Sequence, residues 1–426
     1  MTALAGLVTA CVAIVPLAVV PDLLDRFHVI KESVMRAEAL IGALLVAFAF
    51  NVGRASARED RRAEARPTFW LLALTAAGVA WTGLTALLST HRPLSYDSFV
   101  SVLTSALLFL VVWYAAPRIS LVILDVLVPA VMINAALAAV QEYAIYDPFL
   151  HDDPNLAQHF KATGLIGNPN VVGSFMAFAA LILTVAAVRV RGVRRWLYAF
   201  GALVATASVL VSLTRTALFA LAAGLLLLAV GRSRKRAAAV VVAMAVLFGA
   251  GVLFRVPLVL RVLEVPRLAS EGGLEVATSG RVAPALAAWE MFRDRPLIGV
   301  GPGAYRYWYT EYKTRVRRQY GAVLAGTPAT MFGEAHNDHL QLLAEAGLPG
   351  YLLFAAFLAA LWLAVRRPVD GDGEDVRQRI ARTLVLPLGG AFLVLALAQF
   401  PLHLAVTRHL LVTFAGLAIG WSRSWE

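Results

Sequence analysis

The sequence predicts an all-α polytopic membrane protein of about twelve transmembrane helices, with a helical subdomain on one side of the bilayer. Three observations carry that expectation. Of 426 residues, 60% are hydrophobic and only 15% charged, and the mean hydropathy is +0.72. A soluble domain carries about 25% charged residues, so this chain cannot cover a water-facing surface with polar groups. Uncharged runs near the ~20 residues needed to cross a hydrocarbon core recur along the chain. One segment, 255–347, is too long and too polar to be a simple connection.

The apolar runs lie near 2–20, 37–53, 68–88, 98–116, 119–145, 171–188, 196–212, 216–230, 237–254, 348–365, 383–400 and 403–421. The pair flanking Arg215 is short, with only 213–215 between, and reads as two tilted helices or one broken one. Short cytoplasmic loops are enriched in Lys and Arg. With the N-terminus inside, the inner loops hold 20 of the 38 cations, and the alternation holds at every turn. An even count of twelve, with both termini cytoplasmic, is the expected topology, and a bacterial inner membrane the expected location. The excess of +11 is then mostly topological and does not indicate a nucleic-acid partner. Cys11, the single cysteine, excludes an intramolecular disulfide and a CxxC site. The run 2–20 lacks a basic n-region and a good cleavage site, and Val8-Thr9-Ala10-Cys11 fits a lipoprotein box only loosely, so Cys11 is expected to pack within a helix. Asp125 is the ionisable residue expected inside the bundle.

The expected organisation is therefore helices 1–9 over 1–254, a long outer loop with a helical subdomain over 255–347, and helices 10–12 over 348–426, in one integrated membrane domain. Within the loop, 282–292 has helical spacing through Ala285, Ala288, Trp289 and Phe292, and Arg293-Asp294-Arg295-Pro296 stops it. Gly299-Val300-Gly301-Pro302-Gly303 predicts a tight turn, 305–320 an aromatic and basic helix, and 335–346 a further helix with Gly347 as its C-cap. Loops of this length are usually functional.

Four patterns stand out. Thr163-Gly164-Leu165-Ile166-Gly167-Asn168-Pro169-Asn170 is a turn opening the sixth span, where Asn caps free helix N–H groups. In Ser212-Leu213-Thr214-Arg215-Thr216 an arginine is wedged at a helix junction, where it either snorkels to the interface or clamps a phosphate. Gly280-Arg281 precedes Trp289 and the glycine-rich turn, which lacks the strand and the Lys-Ser/Thr of a phosphate-binding loop, so nucleotide binding is rejected. In His336-Asn337-Asp338-His339-Leu340-Gln341, two histidines three apart share a helix face. Asn337 or Asp338 as a cap with solvated histidines is the plain alternative. The spacing lacks the glutamate of a zinc protease, so no metal and no cofactor is expected. A neutral imidazole suits proton abstraction near pH 7.

In this order, the patterns Gly-Asn-Pro-Asn, Ser-x-x-Arg, then Arg, Trp and Pro-x-x-Gly-x-Gly-x-Gly, then His-Asn with Gly-Leu-x-Gly resemble the O-antigen ligase and polymerase superfamily over residues 163–351. The resemblance implies a helical core like that of the GT-C class. It also implies glycan transfer, with inversion and without metal, from undecaprenyl diphosphate to an acceptor hydroxyl such as that of a lipid A-core sugar, at the periplasmic face. It assigns Arg215 and Arg281 to the lipid diphosphate and His336 to the acceptor hydroxyl. His339, Asn337, Asn168, Asn170, Lys161 and Arg306 are possible supporting residues, and His339 is the competing base. Preorganised arginines would stabilise the charge that grows on a diphosphate leaving group. Within the family, a repeat-unit polymerase or a protein O-oligosaccharyltransferase is the alternative. The basic face of Arg306, Lys313, Arg315, Arg317 and Arg318 reads as contacting either a phosphorylated acceptor or anionic headgroups. A polysaccharide transporter or flippase is the competing class; it would place ionisable groups near the midplane, where the sequence offers Asp125 and no cation.

Overall fold

A computed structural model of the chain describes residues 2–20, 25, 27–53, 65–143, 145, 162–321, 331–366 and 375–422. Among them there is no strand, and each of the twelve apolar runs overlaps a helix. Nine precede the long segment: α1 (Thr2–Leu17), α2 (His28–Gly53), α3 (Ala65–Leu88), α4 (Arg92–Ala115), α5 (Val122–Glu142), α6 (Pro169–Arg189), α7 (Val193–Val211), α8 (Arg215–Val230) and α9 (Arg234–Leu253). The segment itself contributes α10 (Pro257–Leu263), α11 (Val265–Ala277), α12 (Val282–Asp294) and α13 (Tyr305–Tyr320). The chain closes with α14 (Asp338–Arg366), α15 (Val376–Leu395) and α16 (Ala405–Trp421). Seven helices among the described residues are long and apolar enough to cross a membrane; α1, α8 and α16 are apolar but shorter. The runs flanking Arg215 form two helices, parted by Leu213 in a left-handed conformation (φ 53°).

The bundle is built around α6, which is buried along almost its whole length and is apolar on every face, as a helix with no solvent or lipid side must be. Helices α7, α8 and α15 pack on it, with α5 and α16 completing its surround. The packing corrects the expectation about charge. Asp125 lies in the first turn of α5, where it pairs with Arg194 at 2.9 Å and accepts from the Tyr198 hydroxyl at 2.6 Å. Deeper in the bundle a fully buried pair, Glu38 and His409, joins α2 to α16 at 2.7 Å. Glu32 also pairs with Arg408 between these helices. The sequence hides both contacts because the partners lie on helices far apart in the chain, and only the fold makes those helices adjacent. Cys11 is buried in α1.

Segment 255–347 carries a second hydrophobic cluster, in which Ala287, Ala288 and Met291 of α12 meet Tyr305, Tyr309 and Val316 of α13. Full burial of side chains such as Met291 and Val316 contributes on the order of 1.5–3 kcal/mol each. The expected helices are present, α13 with the expected ends, and α10 and α11 precede them. The last helix of the segment starts at Asp338 rather than 335, and the chain continues through a kink at Gly347 (φ 67°) into α14's apolar part. There a Cβ would overlap the Leu297 carbonyl, so Gly347 lets two chain segments touch.

The glycine-rich turn braces the segment. Val300 N donates to Ala344 O (2.8 Å), Gly301 N to Glu345 O (3.0 Å), and Leu348 N to Pro296 O (2.8 Å). Its amides are consumed by protein, which leaves them nothing to offer a phosphate. Gly301 has φ 103°, and a side chain there would overlap Ser89. Gly301→Ala should therefore cost about 2 kcal/mol or more and lower the melting temperature in detergent. Gly389→Ala, in the interior of α15 with open space for a Cβ, should leave it unchanged or raise it. Equal losses in both would show that the turn is no brace.

Candidate functional site

Arg215 is the first residue of α8, and its placement starts with the left-handed Leu213. That turn points the Thr214 hydroxyl at Pro169 O (3.2 Å), at the start of α6, so Thr214 stands at the N-cap without capping α8. The N–H groups of α8 therefore lack a side-chain acceptor, and the positive end of its dipole is unmet. The guanidinium of Arg215 reaches out of the bundle: Nη2 donates to Ala277 O (3.0 Å) and Ser279 Oγ (3.1 Å).

Arg281 stands at the N-cap of α12, after two left-handed residues, Ser279 (φ 58°) and Gly280 (φ 81°). It is largely buried, yet among the described residues its guanidinium has no hydrogen-bond partner. Burial, and then the charge of Arg215, lowers its pKa to about 10, so it stays protonated at neutral pH. Two cations thus face each other with no carboxylate between them.

His336 is itself left-handed (φ 53°). Asn337 caps α14, its Oδ1 accepting from Leu340 N (3.0 Å), and its Nδ2 donates to Leu397 O (3.0 Å). The imidazole is wedged edge-to-face between Phe332 (5.2 Å) and Phe400 (4.8 Å). Its Nδ1 is buried without a partner, which leaves Nε2 as the nitrogen a ligand can meet. Burial, reinforced by the Arg281 charge, lowers the pKa to about 4, so the ring is neutral throughout the physiological range.

One cavity of about 480 Å³ brings Arg215, Arg281 and His336 together. Thr216, Thr278 and Trp289 also line it, and its remaining walls are apolar, including Phe219, Leu286 and Leu397; no Asp or Glu contributes. The other candidates lie outside its lining. Asn168 caps α6, accepting from Asn170 N (2.8 Å), and Asn170 approaches Thr214. His339 Nε2 is 3.3 Å from Leu393 O and its Nδ1 3.3 Å from the Tyr351 hydroxyl, so both ring nitrogens are engaged by protein. Arg306 pairs with Glu334 at 2.7 Å. Lys161 lies outside the described residues. A groove of about 640 Å³ along α13, lined by Tyr312, Arg315 and Arg318 among others, contains none of the candidates.

A supporting network went unrecognised in the sequence. Asp338 accepts from His403 Nδ1 (2.8 Å) and from Leu402 N (2.9 Å), fixing the α15–α16 connection that carries Phe400. Gln341 accepts from Ala335 N (2.8 Å), directly before His336, and its amide donates to Glu334. Burial would lower the His403 pKa, but Glu334, Asp338 and Glu345 outweigh it and raise it to about 9. No local motif announces this network, because its members meet only through the fold. The basic face of α13 is likewise altered by contacts: Arg315 pairs with Glu290 and Asp294, and Lys313 is buried over the Tyr309 ring.

Residues 200–355 match the O-antigen ligase family model, Wzy_C. That match relates this segment to the O-antigen ligase superfamily. The matched segment contains Arg215, Arg281 and His336, and so covers the cavity's three polar poles. No curated protein matches the chain. The superfamily consists of membrane glycosyltransferase-like ligases and polymerases acting on lipid-linked glycans, and the seven helices among the described residues that are long and apolar enough to cross a membrane agree with that kind.

The low pKa of His336 has a direct readout. Carbethoxylation, which requires the neutral ring, should proceed at His336 at nearly the same rate at pH 5.5 as at pH 7.5, followed by peptide mass spectrometry. An ordinary histidine would slow about tenfold over that range. A tenfold fall at His336 would show that the cavity does not depress its pKa.

Proposed function

We propose that the protein is a bacterial inner-membrane glycosyltransferase of twelve spans, with both termini cytoplasmic and its reaction centre at the periplasmic face. It moves a glycan from undecaprenyl diphosphate to a hydroxyl, with a lipid A-core sugar as the leading acceptor. The observation that carries this reading is the cavity in which two arginines without carboxylate partners, and an uncapped helix start, face a neutral histidine. Arginines so placed attract a dianionic group, and helix N-termini add to the attraction. The apolar walls suit a lipid-linked ligand, whose pyrophosphate would lie against the guanidiniums.

The chemistry follows from charge. The acceptor oxygen attacks the anomeric carbon from the face opposite the diphosphate, the carbon–oxygen bond to phosphate breaks, and undecaprenyl diphosphate leaves with an added negative charge, stabilised by Arg215 and Arg281. The acceptor proton passes to Nε2 of His336. A resting pKa of about 4 keeps the ring neutral, and Nε2 accepts in the tautomer that carries its hydrogen on Nδ1. The bound diphosphate would offset the Arg281 field that helps to depress it, so donor binding itself strengthens the base. His339, held by Leu393 and Tyr351, is the weaker candidate.

The acceptor has a second reading. The α13 face expected to meet a phosphorylated core is partly neutralised by Glu290, Asp294 and Glu334. That favours an uncharged acceptor, as in a repeat-unit polymerase or a protein O-oligosaccharyltransferase. Surface glycans of a deletion strain separate the three: unligated long chains for a ligase, single repeat units on complete core for a polymerase, unglycosylated protein for the last.

Arg215→Ala, Arg281→Ala and His336→Ala should each lower turnover on the order of 10²-fold or more, with protein still in the membrane and lipid-linked donor accumulating. Arg281→Lys should remain impaired, because an ammonium lacks the two-pronged contact. His339→Ala should keep much of the activity. Unchanged glycan profiles in the first three variants would end the transferase reading.

A further inference from the structure

Arg281 occupies a position that ordinarily belongs to another kind of residue. A helix N-cap is usually Ser, Thr, Asp or Asn, whose side-chain oxygen accepts from the first free N–H groups. Arginine has no acceptor, and a cation at a helix start is opposed by the dipole. Helix α12 nevertheless begins there, because the missing acceptor is supplied from a different helix. Glu275, in the last turn of α11 and 1% exposed, accepts through Oε2 from Val282 N (2.9 Å) and Ala283 N (3.1 Å). Its Oε1 is buried without a hydrogen-bond partner, so capping is the only hydrogen-bonding contact this carboxyl makes among the described residues. Two residues further on, Ala277 O receives Arg215 Nη2. The same short stretch of chain thus fixes the start of the helix that carries one guanidinium and holds the other guanidinium directly.

We propose that Glu275 is the positioning residue of the anion site, a detached N-cap that lets position 281 be an arginine aimed into the cavity. The assignment rests on the reading of the cavity as a diphosphate site. Glu275 acts through backbone amides, so a glutamine, which retains an acceptor oxygen at the same reach, keeps the function, and an alanine loses it.

The test combines two measurements on purified full-length protein in detergent. Amide hydrogen exchange across 282–294 reports the cap, and affinity for undecaprenyl diphosphate reports the site. Glu275→Ala should speed exchange at the start of α12 and weaken binding about tenfold, the scale of a lost cap. Glu275→Gln should stay within about threefold of the native protein on both measures. In an Arg281→Ala background, Glu275→Ala should cost less than about twofold more, since the residue it positions is gone. A full additional tenfold loss in that background, or a glutamine variant as impaired as the alanine, overturns the proposal. If Arg281→Ala leaves undecaprenyl diphosphate binding intact, the diphosphate reading fails, while exchange at 282–294 still decides whether Glu275 is the cap.

Discussion

The arrangement on which the rest of the structure turns is the pairing of two guanidiniums across a cavity that contains no carboxylate. Like charges held near each other in a partly buried site repel, a cost that an empty site carries and an anion removes. The fold meets that cost with unusual backbone. Of the five non-glycine residues with positive φ among the described residues, three lie at the site: Leu213 before Arg215, Ser279 before Arg281, and His336 itself. Left-handed residues without glycine are concentrated where side chains must be aimed rather than where chains merely turn. Thr214 forgoes capping α8 and Glu275 caps α12 from outside, so neither arginine has to share its helix start with a local acceptor.

The same electrostatics divides the histidines. His336 and His403 belong to neighbouring connections, yet one is lowered to about 4 and the other raised to about 9. Phe332, Phe400 and Arg281 surround the first; Glu334, Asp338 and Glu345 outweigh burial around the second. Environments that push like groups apart assign their roles. The neutral ring can accept a proton, and the charged one serves as a fixed counter-ion that holds the α15–α16 connection and, through Phe400, one wall of the His336 slot.

Much of this was legible in the sequence, and the reasons differ by element. The apolar runs and the ends of α12 and α13 were readable because hydropathy, Arg-Pro stops and glycine turns act over a few residues. Arg215, Arg281 and His336 lie in local patterns that each had a plain alternative, and the family resemblance is what joined them into one expected site. Glu38 with His409, Asp338 with His403, and Glu275 with the start of α12 were invisible for one shared reason. Each is an ordinary charged residue whose partner comes from elsewhere in the fold. The glycine-rich turn was legible as a tight turn but not as a brace, because its amides bond α14 and its missing side chains admit Ser89 and the carbonyls of α14, all distant in sequence.

Charge distribution finally bears on how an anionic donor would find such a site. Segment 255–347 has 11 Lys and Arg against nine Asp and Glu, so its far field is weak despite a chain total of +11. Several of those cations are matched locally, Arg293 with Glu290, Arg306 with Glu334 and Arg315 with Asp294. Long-range steering, which depends on net charge and fades beyond a Debye length of about 10 Å, has little to act on. On the proposed reading a lipid-linked ligand does not need it, because a membrane confines such a ligand to two dimensions. What distinguishes the cavity is therefore contact-range: Arg215 and Arg281 are the cations that line it and no Asp or Glu shares that lining, so the residues worth protecting in any variant are those that keep the two guanidiniums where they are.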